Sequence, residues 1–257
     1  MTSSIENNRM SRREFIKILR NTAAGVALLG PLGTALEACA PRSPDVSKPS
    51  SEIVGLPVVI EMPFGAKFIV ETIPPHPRLN LNKTLTEKLL SETVKKPTAP
   101  IKVSLYSDDW LRVQPDKTLL GIDDQRYQSL SQEEKDTFRD SVTTTLYDPT
   151  SGIPQGVAVH IATGRFLKEA RRGNNMIVQN EFIPEGIIVD PIIALNATFY
   201  HEVRYHALLR NSDYRPQDET GRIQEELTAR KGETEWVKSL AAATKLVKDN
   251  QLFLVPH

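Results

Sequence analysis

An α+β domain is what this chain predicts, and three observations lead to it. Short runs rich in Val, Ile and Thr, closed off by Gly and Pro, recur between residues 56 and 189. Two segments of helical character follow, one over residues 192–209 and one from Asp218 or Thr220 to about residue 247. Strands first and helices last, with mixed strand pairing, is the order of an α+β domain.

The N-terminus reads as an export signal outside that domain. Ser11-Arg12-Arg13-Glu14-Phe15-Ile16-Lys17 resembles a twin-arginine signal, and a weakly apolar segment over residues 22–36 follows it. That segment is too short, and too broken by Gly30, Pro31 and Gly33, to make a good membrane span. Leu36-Glu37-Ala38-Cys39 resembles a bacterial lipobox, with Glu37 unusual at its position. Cys39 is also the one cysteine of the chain, so no internal disulfide can form. The resemblance implies a signal over residues 1–38 and a lipid on Cys39, whose chains contribute roughly 0.8 kcal/mol per buried methylene. The implied location is the bacterial cell envelope, on the periplasmic face or outer membrane; Ala40 after the cysteine favours outer-membrane sorting. Residues 39–54, with Pro41, Pro44 and Pro49 among serines and charges, read as a flexible tether, and 55–257 as a single domain. Taking the signal's five basic and three acidic residues from the 32 of each leaves 27 against 29. That balance argues against nucleic acid as a partner.

Within the domain, residues 56–73 read as two strands joined through Pro63-Phe64-Gly65, and 101–106 as a half-buried alternating strand. Ser131-Gln132-Glu133-Glu134 is a capping box predicting a helix to about Leu146, stopped by Asp148-Pro149. Residues 157–161 and 186–189 are strands again. Pro191 suits the first turn of the helix over 192–209, where its missing N–H costs nothing. The second helix carries Gly232, a place for it to bend. The Asp108-Asp109 and Asp123-Asp124 pairs read as turn and cap chemistry, His160 as a structural histidine on a strand, and Lys168-Glu169-Ala170-Arg171-Arg172 as a solvated stretch ending at Gly173.

The chemistry concentrates in His201-Glu202-Val203-Arg204-Tyr205-His206 and the Glu225-Glu226 pair downstream. Two imidazoles and a carboxylate are a zinc ligand set, and a neighbouring glutamate can act as general base. The spacing sets a condition. Histidines at i and i+5 sit about 140° apart on a regular helix and cannot share an ion. One residue looped out in a π-bulge brings His206 back beside His201. On a helical wheel Glu226 falls in the middle of the second helix's apolar face, Glu225 toward its edge, and Glu233 on the buried side. A carboxylate facing a core is expensive unless it is paired or binds a metal.

His201-Glu202-x-x-x-His206 followed by Glu225-Glu226-Leu227-Thr228-Ala229 resembles a zincin metallopeptidase of the gluzincin type, and the longer spacing is similar to that of dipeptidyl peptidase III. The resemblance covers roughly residues 183–237. It implies a zincin-like mixed sheet followed by two metal-site helices, with His201, His206 and Glu226 binding zinc and Glu202 passing a proton from water to the leaving amine. Glu225 and Glu233 would support the ligands from behind, the strand over 186–189 would hold a substrate backbone, and Tyr214 would be the oxyanion donor. Peptides or envelope proteins would be the substrates. The competing expectation is a non-enzymatic envelope lipoprotein whose strand-rich half binds a partner, its metal site degenerate.

Overall fold

The computed structural model describes residues 51–256 apart from 74–78, 93–98, 114–118, 123, 136–137, 149, 152, 212–218, 244–247 and 249. The expected export signal, Cys39, most of the expected tether and Tyr214 lie outside the described residues. The domain is α+β. Its strands are β1 (Ile53–Gly55), β2 (Val58–Glu61), β3 (Lys67–Ile73), β4 (Leu79–Asn82), β5 (Ile101–Tyr106), β6 (Trp110–Val113), β7 (Leu119–Ile122), β8 (Phe138–Arg139), β9 (Ser141–Tyr147), β10 (Pro154–Ala162), β11 (Met176–Asn180), β12 (Ile183–Val189) and β13 (Leu254–Pro256). Its α-helices are α1 (Lys83–Ser91), α2 (Asp124–Gln128), α3 (Gln132–Lys135), α4 (Gly164–Arg172), α5 (Pro191–Tyr200) and α6 (Glu219–Ala242).

The central sheet has the order β2-β3-β5-β10-β9, with β3, β5 and β10 parallel and β2 and β9 antiparallel at the edges. Strand alternation builds its core face in cross-strand rows, Phe68–Ile101–Val157 and Val70–Val103–Val159, all buried. Leu195 and Phe199 of α5 and Leu240 of α6 belong to the same apolar cluster, so the helices cover this face. Smaller sheets flank it: β1-β4-β13, β7-β6-β8 and the β11–β12 hairpin. Ile53 and Val54, read as the end of the tether, already pair with Asn82 and Leu81. The buried amide of Asn196 on α5 clamps the C-terminal strand, accepting from Leu254 N and donating to Leu254 O, both at 2.8 Å.

Most expected elements are present. The 56–73 hairpin turns through a 3₁₀ turn at Pro63–Gly65. Asp190 caps α5 by accepting from Ile192 N at 2.7 Å, with Pro191 in the first turn. α4 closes on Gly173 in the left-handed region. Its charges are partnered on the surface: Arg172 bonds Glu169 at 3.1 Å and Lys168 lies 3.8 Å from Asp109.

One expectation is overturned. The capping box is real, with Ser131 N donating to Glu134 Oε2 at 2.9 Å, but its helix is the single turn of α3. Residues 141–147, assigned to that helix, form the edge strand β9. Val142 and three successive threonines are β-branched, stiff at χ1 and better accommodated on a pleated strand than on a helix. Asp148 then caps the β9–β10 turn, accepting from Thr150 N and Ser151 N at 2.9 and 2.6 Å. α6 runs as one helix through Gly232.

Candidate metal centre

α5 continues without a break into a π-helical segment, His201–Ala207, and a last turn, Leu208–Arg210. Leu208 N–H bonds the Val203 carbonyl five residues back. This widened turn satisfies the condition set by the i, i+5 spacing: the two imidazole centroids stand 4.9 Å apart and the Nε2 atoms 3.0 Å apart. The widening needs room on α6. Tyr205, swung outward by the π turn, reaches Gly232, where an added Cβ would sit 1.8 Å from the tyrosine Oη. Tyr205 also meets Tyr200 edge to face at 5.7 Å. Gly232 is therefore a contact point between the helices.

From α6, Glu226 Oε2 lies 3.3 Å from His206 Nε2 and 3.8 Å from His201 Nε2. The ligand atoms of His201, His206 and Glu226 all fall within 4.8 Å of one another, and this group could hold a metal ion. The distances fit a single centre. Donors about 2.0–2.1 Å from a tetrahedral ion stand about 3.3 Å apart, and the three separations of 3.0, 3.3 and 3.8 Å bracket that value.

Carboxylates hold both rings from behind. His201 Nδ1 bonds Glu233 Oε2 at 3.1 Å, and His206 Nδ1 bonds Glu225 Oε1 at 2.5 Å. A carboxylate only accepts, so each Nδ1 carries a proton, and a ring that gives up its second proton keeps its lone pair on Nε2, where an ion could take it. Two Nε2 atoms and a carboxylate oxygen thus converge on one point, where either a metal ion or protons on the rings can meet the carboxylate charge. With both rings neutral, the formal charges of Glu202, Glu225, Glu226 and Glu233 against Arg210 and Arg230 leave two negative charges, which a divalent cation or two protonated imidazoles would balance. Burial opposes charge on His201, but the nearby Glu226 carboxylate and the hydrogen bond to Glu233 outweigh it and lift its pKa to about 10. His206 is raised as well, burial again being outweighed by Glu225 and Glu226. Burial opposes ionisation of Glu226, yet both histidines and Arg230 hold its carboxyl far below the usual carboxylate range.

The wheel had put Glu225 near the edge of the apolar face and Glu226 at its centre. The structure reverses their burial: the Glu225 side chain is 1% exposed and that of Glu226 31%. The π turn and Arg210, rather than apolar residues alone, define what α6 packs against. Arg210 Nε donates to Glu225 Oε1 at 2.8 Å while its Nη1 donates to the Thr143 carbonyl at 2.7 Å, tying β9 to the helix that carries the histidines.

Glu202 is buried beside the two histidines and points at β9, where Ser141 Oγ donates to Oε1 at 2.7 Å and Thr143 Oγ1 to Oε2 at 2.5 Å. These hydroxyls pair in register with Ile161 and Val159 of β10, extending the sheet's core-facing rows with polar groups. The strand beside the π turn is thus β9, whereas β12, the strand that precedes α5, pairs with β11 in a separate hairpin. Sequence reasoning missed Ser141, Thr143, Arg210 and Arg230. The Ser141, Thr143 alternation was a signal once 141–147 was seen as a strand, and the i, i+4 spacing of Glu226 to Arg230 was a second. Comparison of the chain with protein-family models, curated proteins and solved structures yields no match. The reading of this site therefore stands on its chemistry.

Proposed function

We propose that the chain is a zinc-dependent metallopeptidase of zincin character, exported by the twin-arginine route and held at the bacterial envelope by a lipid on Cys39. The observation that carries the catalytic part is the convergence of His201 Nε2, His206 Nε2 and Glu226 Oε2, each ring fixed in tautomer by a carboxylate behind it. Nitrogen and oxygen donors, three in number and at these separations, suit zinc with a position left open. Bound there, zinc would lower the pKa of a water and polarise a carbonyl.

The chain's own residues do the rest. Glu202, held by Ser141 and Thr143, accepts a proton from the attacking water as the water oxygen bonds to the scissile carbonyl carbon. It returns that proton to the amine nitrogen as the C–N bond breaks. Arg210 holds β9, and with it these hydroxyls, against the metal helix. Substrates are peptides or envelope proteins.

The test is metal content together with cleavage of a peptide library followed by mass spectrometry. The wild-type chain binds one zinc and cleaves. Glu202→Gln keeps the zinc and loses about 10²–10⁴-fold in turnover. A wild-type chain without zinc, or an unaffected Glu202→Gln, ends the proposal. One observation favours the second reading, a non-enzymatic lipoprotein with a degenerate metal site: hydroxyls already engage both Glu202 oxygens. One zinc per chain with no cleavage across the library would select that reading.

A further inference from the structure

Arg230 stands one helical turn beyond Glu226 on α6. Its Nε bonds Glu226 Oε1 at 2.7 Å and its Nη1 bonds Glu181 Oε2 at 3.0 Å. Glu181 follows Asn180 in the turn of the β11–β12 hairpin, and Asn180 Nδ2 donates to the buried Thr234 Oγ1 at 2.9 Å. The hairpin is therefore fastened to α6 at two residues four apart, Arg230 and Thr234. With Oε1 taken by Arg230, only Oε2 of Glu226 faces the histidines.

We infer that Arg230 is a positioning residue that restricts Glu226 to one ligating oxygen, and that Glu181 couples the β11–β12 hairpin to the metal centre through it. The inference rests on the zinc reading above. A glutamate at a ligand position with both oxygens free can offer both to an ion, which fills the position a water requires. A planar guanidinium spanning two carboxylates holds one oxygen away from the ion and fixes the rotation of the other toward it. An ammonium group on a flexible stem keeps the charge without that fork. Burial opposes the charge on Arg230, but Glu226 and then Glu181 outweigh it and raise its pKa, so the guanidinium stays charged. A displacement of the hairpin that withdraws Glu181 is felt at the metal as a freed Arg230 and a turned Glu226.

The experiment needs no substrate. The full chain is loaded with cobalt(II), which occupies zinc sites and reports ligand number through its visible absorption, and zinc affinity is measured by competition with a chromophoric chelator. The wild type gives one ion and an intense four-coordinate spectrum. Arg230→Met weakens that absorption toward the five-coordinate form and costs about 10–100-fold in zinc affinity. Arg230→Lys moves the same way. Glu181→Gln produces a smaller shift of the same kind, and adding it to Arg230→Met changes nothing further. Wild-type spectra and affinities in Arg230→Lys and Glu181→Gln overturn the inference and leave the zinc reading standing. A wild-type chain that takes up neither metal overturns both. Arg230→Lys and Glu181→Gln decide the matter even if Arg230→Met fails to fold, because Glu181 is an exposed residue at the hairpin turn.

Discussion

His160 and His201 are both partly buried, and both feel glutamates nearby, yet the protein drives their protonation in opposite directions. On β10, burial and the charge of Lys102 push the His160 pKa down to about 4, and its Nδ1 lies 3.0 Å from the Tyr106 hydroxyl. At the π turn, burial opposes the charge on His201 just as it does for His160, but Glu226 at 3.8 Å and the hydrogen-bonded Glu233 reverse the outcome. Glu71 and Glu202 act on His160 only through space and do not overcome burial. What favours protonation of a buried imidazole is therefore a carboxylate placed on its ring nitrogen. A histidine in an acidic neighbourhood is not enough.

The largest test of this contrast is metal binding. His201→Ala and Glu226→Ala each reduce zinc affinity by at least the 10–100-fold typical of losing an outer partner. His160→Ala keeps one zinc per chain by elemental analysis. Loss of zinc in the His160 variant would break the comparison outright.

The next effect is in pH. In chelator-treated protein, His201 contributes stability because its folded pKa lies above the unfolded value of about 6.5. That contribution is complete below about pH 6.5 and disappears as pH rises through about 10. His160 has the opposite sign: its folded pKa is depressed, so its penalty is absent above about pH 6.5 and grows as pH falls through about 4. Urea unfolding across pH is expected to show the alkaline loss in metal-free wild type and not in His201→Ala. The acid loss is expected to shrink in His160→Asn.

Two smaller perturbations sharpen the packing side. Gly232→Ala forces a methyl against Tyr205, whose half-buried ring is braced on Tyr200, and should cost about 1–3 kcal/mol in chemical denaturation. Tyr106→Phe removes the hydroxyl beside His160 and should cost about 0.5–1.5 kcal/mol with zinc affinity unchanged.

Much of this was legible along the chain. Alternating β-branched runs marked β3, β5 and β10, and Asp190-Pro191 marked the start of α5. The i, i+5 histidine spacing by itself demands a widened turn if the two rings are to share an ion, because a regular helix points them apart. β9 was not legible, since an authentic capping box stands just before it and cap signals do not reveal how far a helix runs. The relative burial of Glu225 and Glu226 was hidden too: it depends on Arg210 and a π turn on another helix, and an apolar wheel contains neither.

The order of residues alone decided which side chains could form a metal site and how the histidine helix must depart from regular winding for them to share an ion, because both follow from residue type and rise per residue. Only the folded arrangement decided which glutamate faces the histidines, which strand holds Glu202 and which arginine fixes each carboxylate. Those pairings join segments between 15 and 67 residues apart, apart from Arg230 on Glu226 one turn away. Coulombic and hydrogen-bond energies at 3 Å depend on where chain segments meet in space, which local periodicity does not encode.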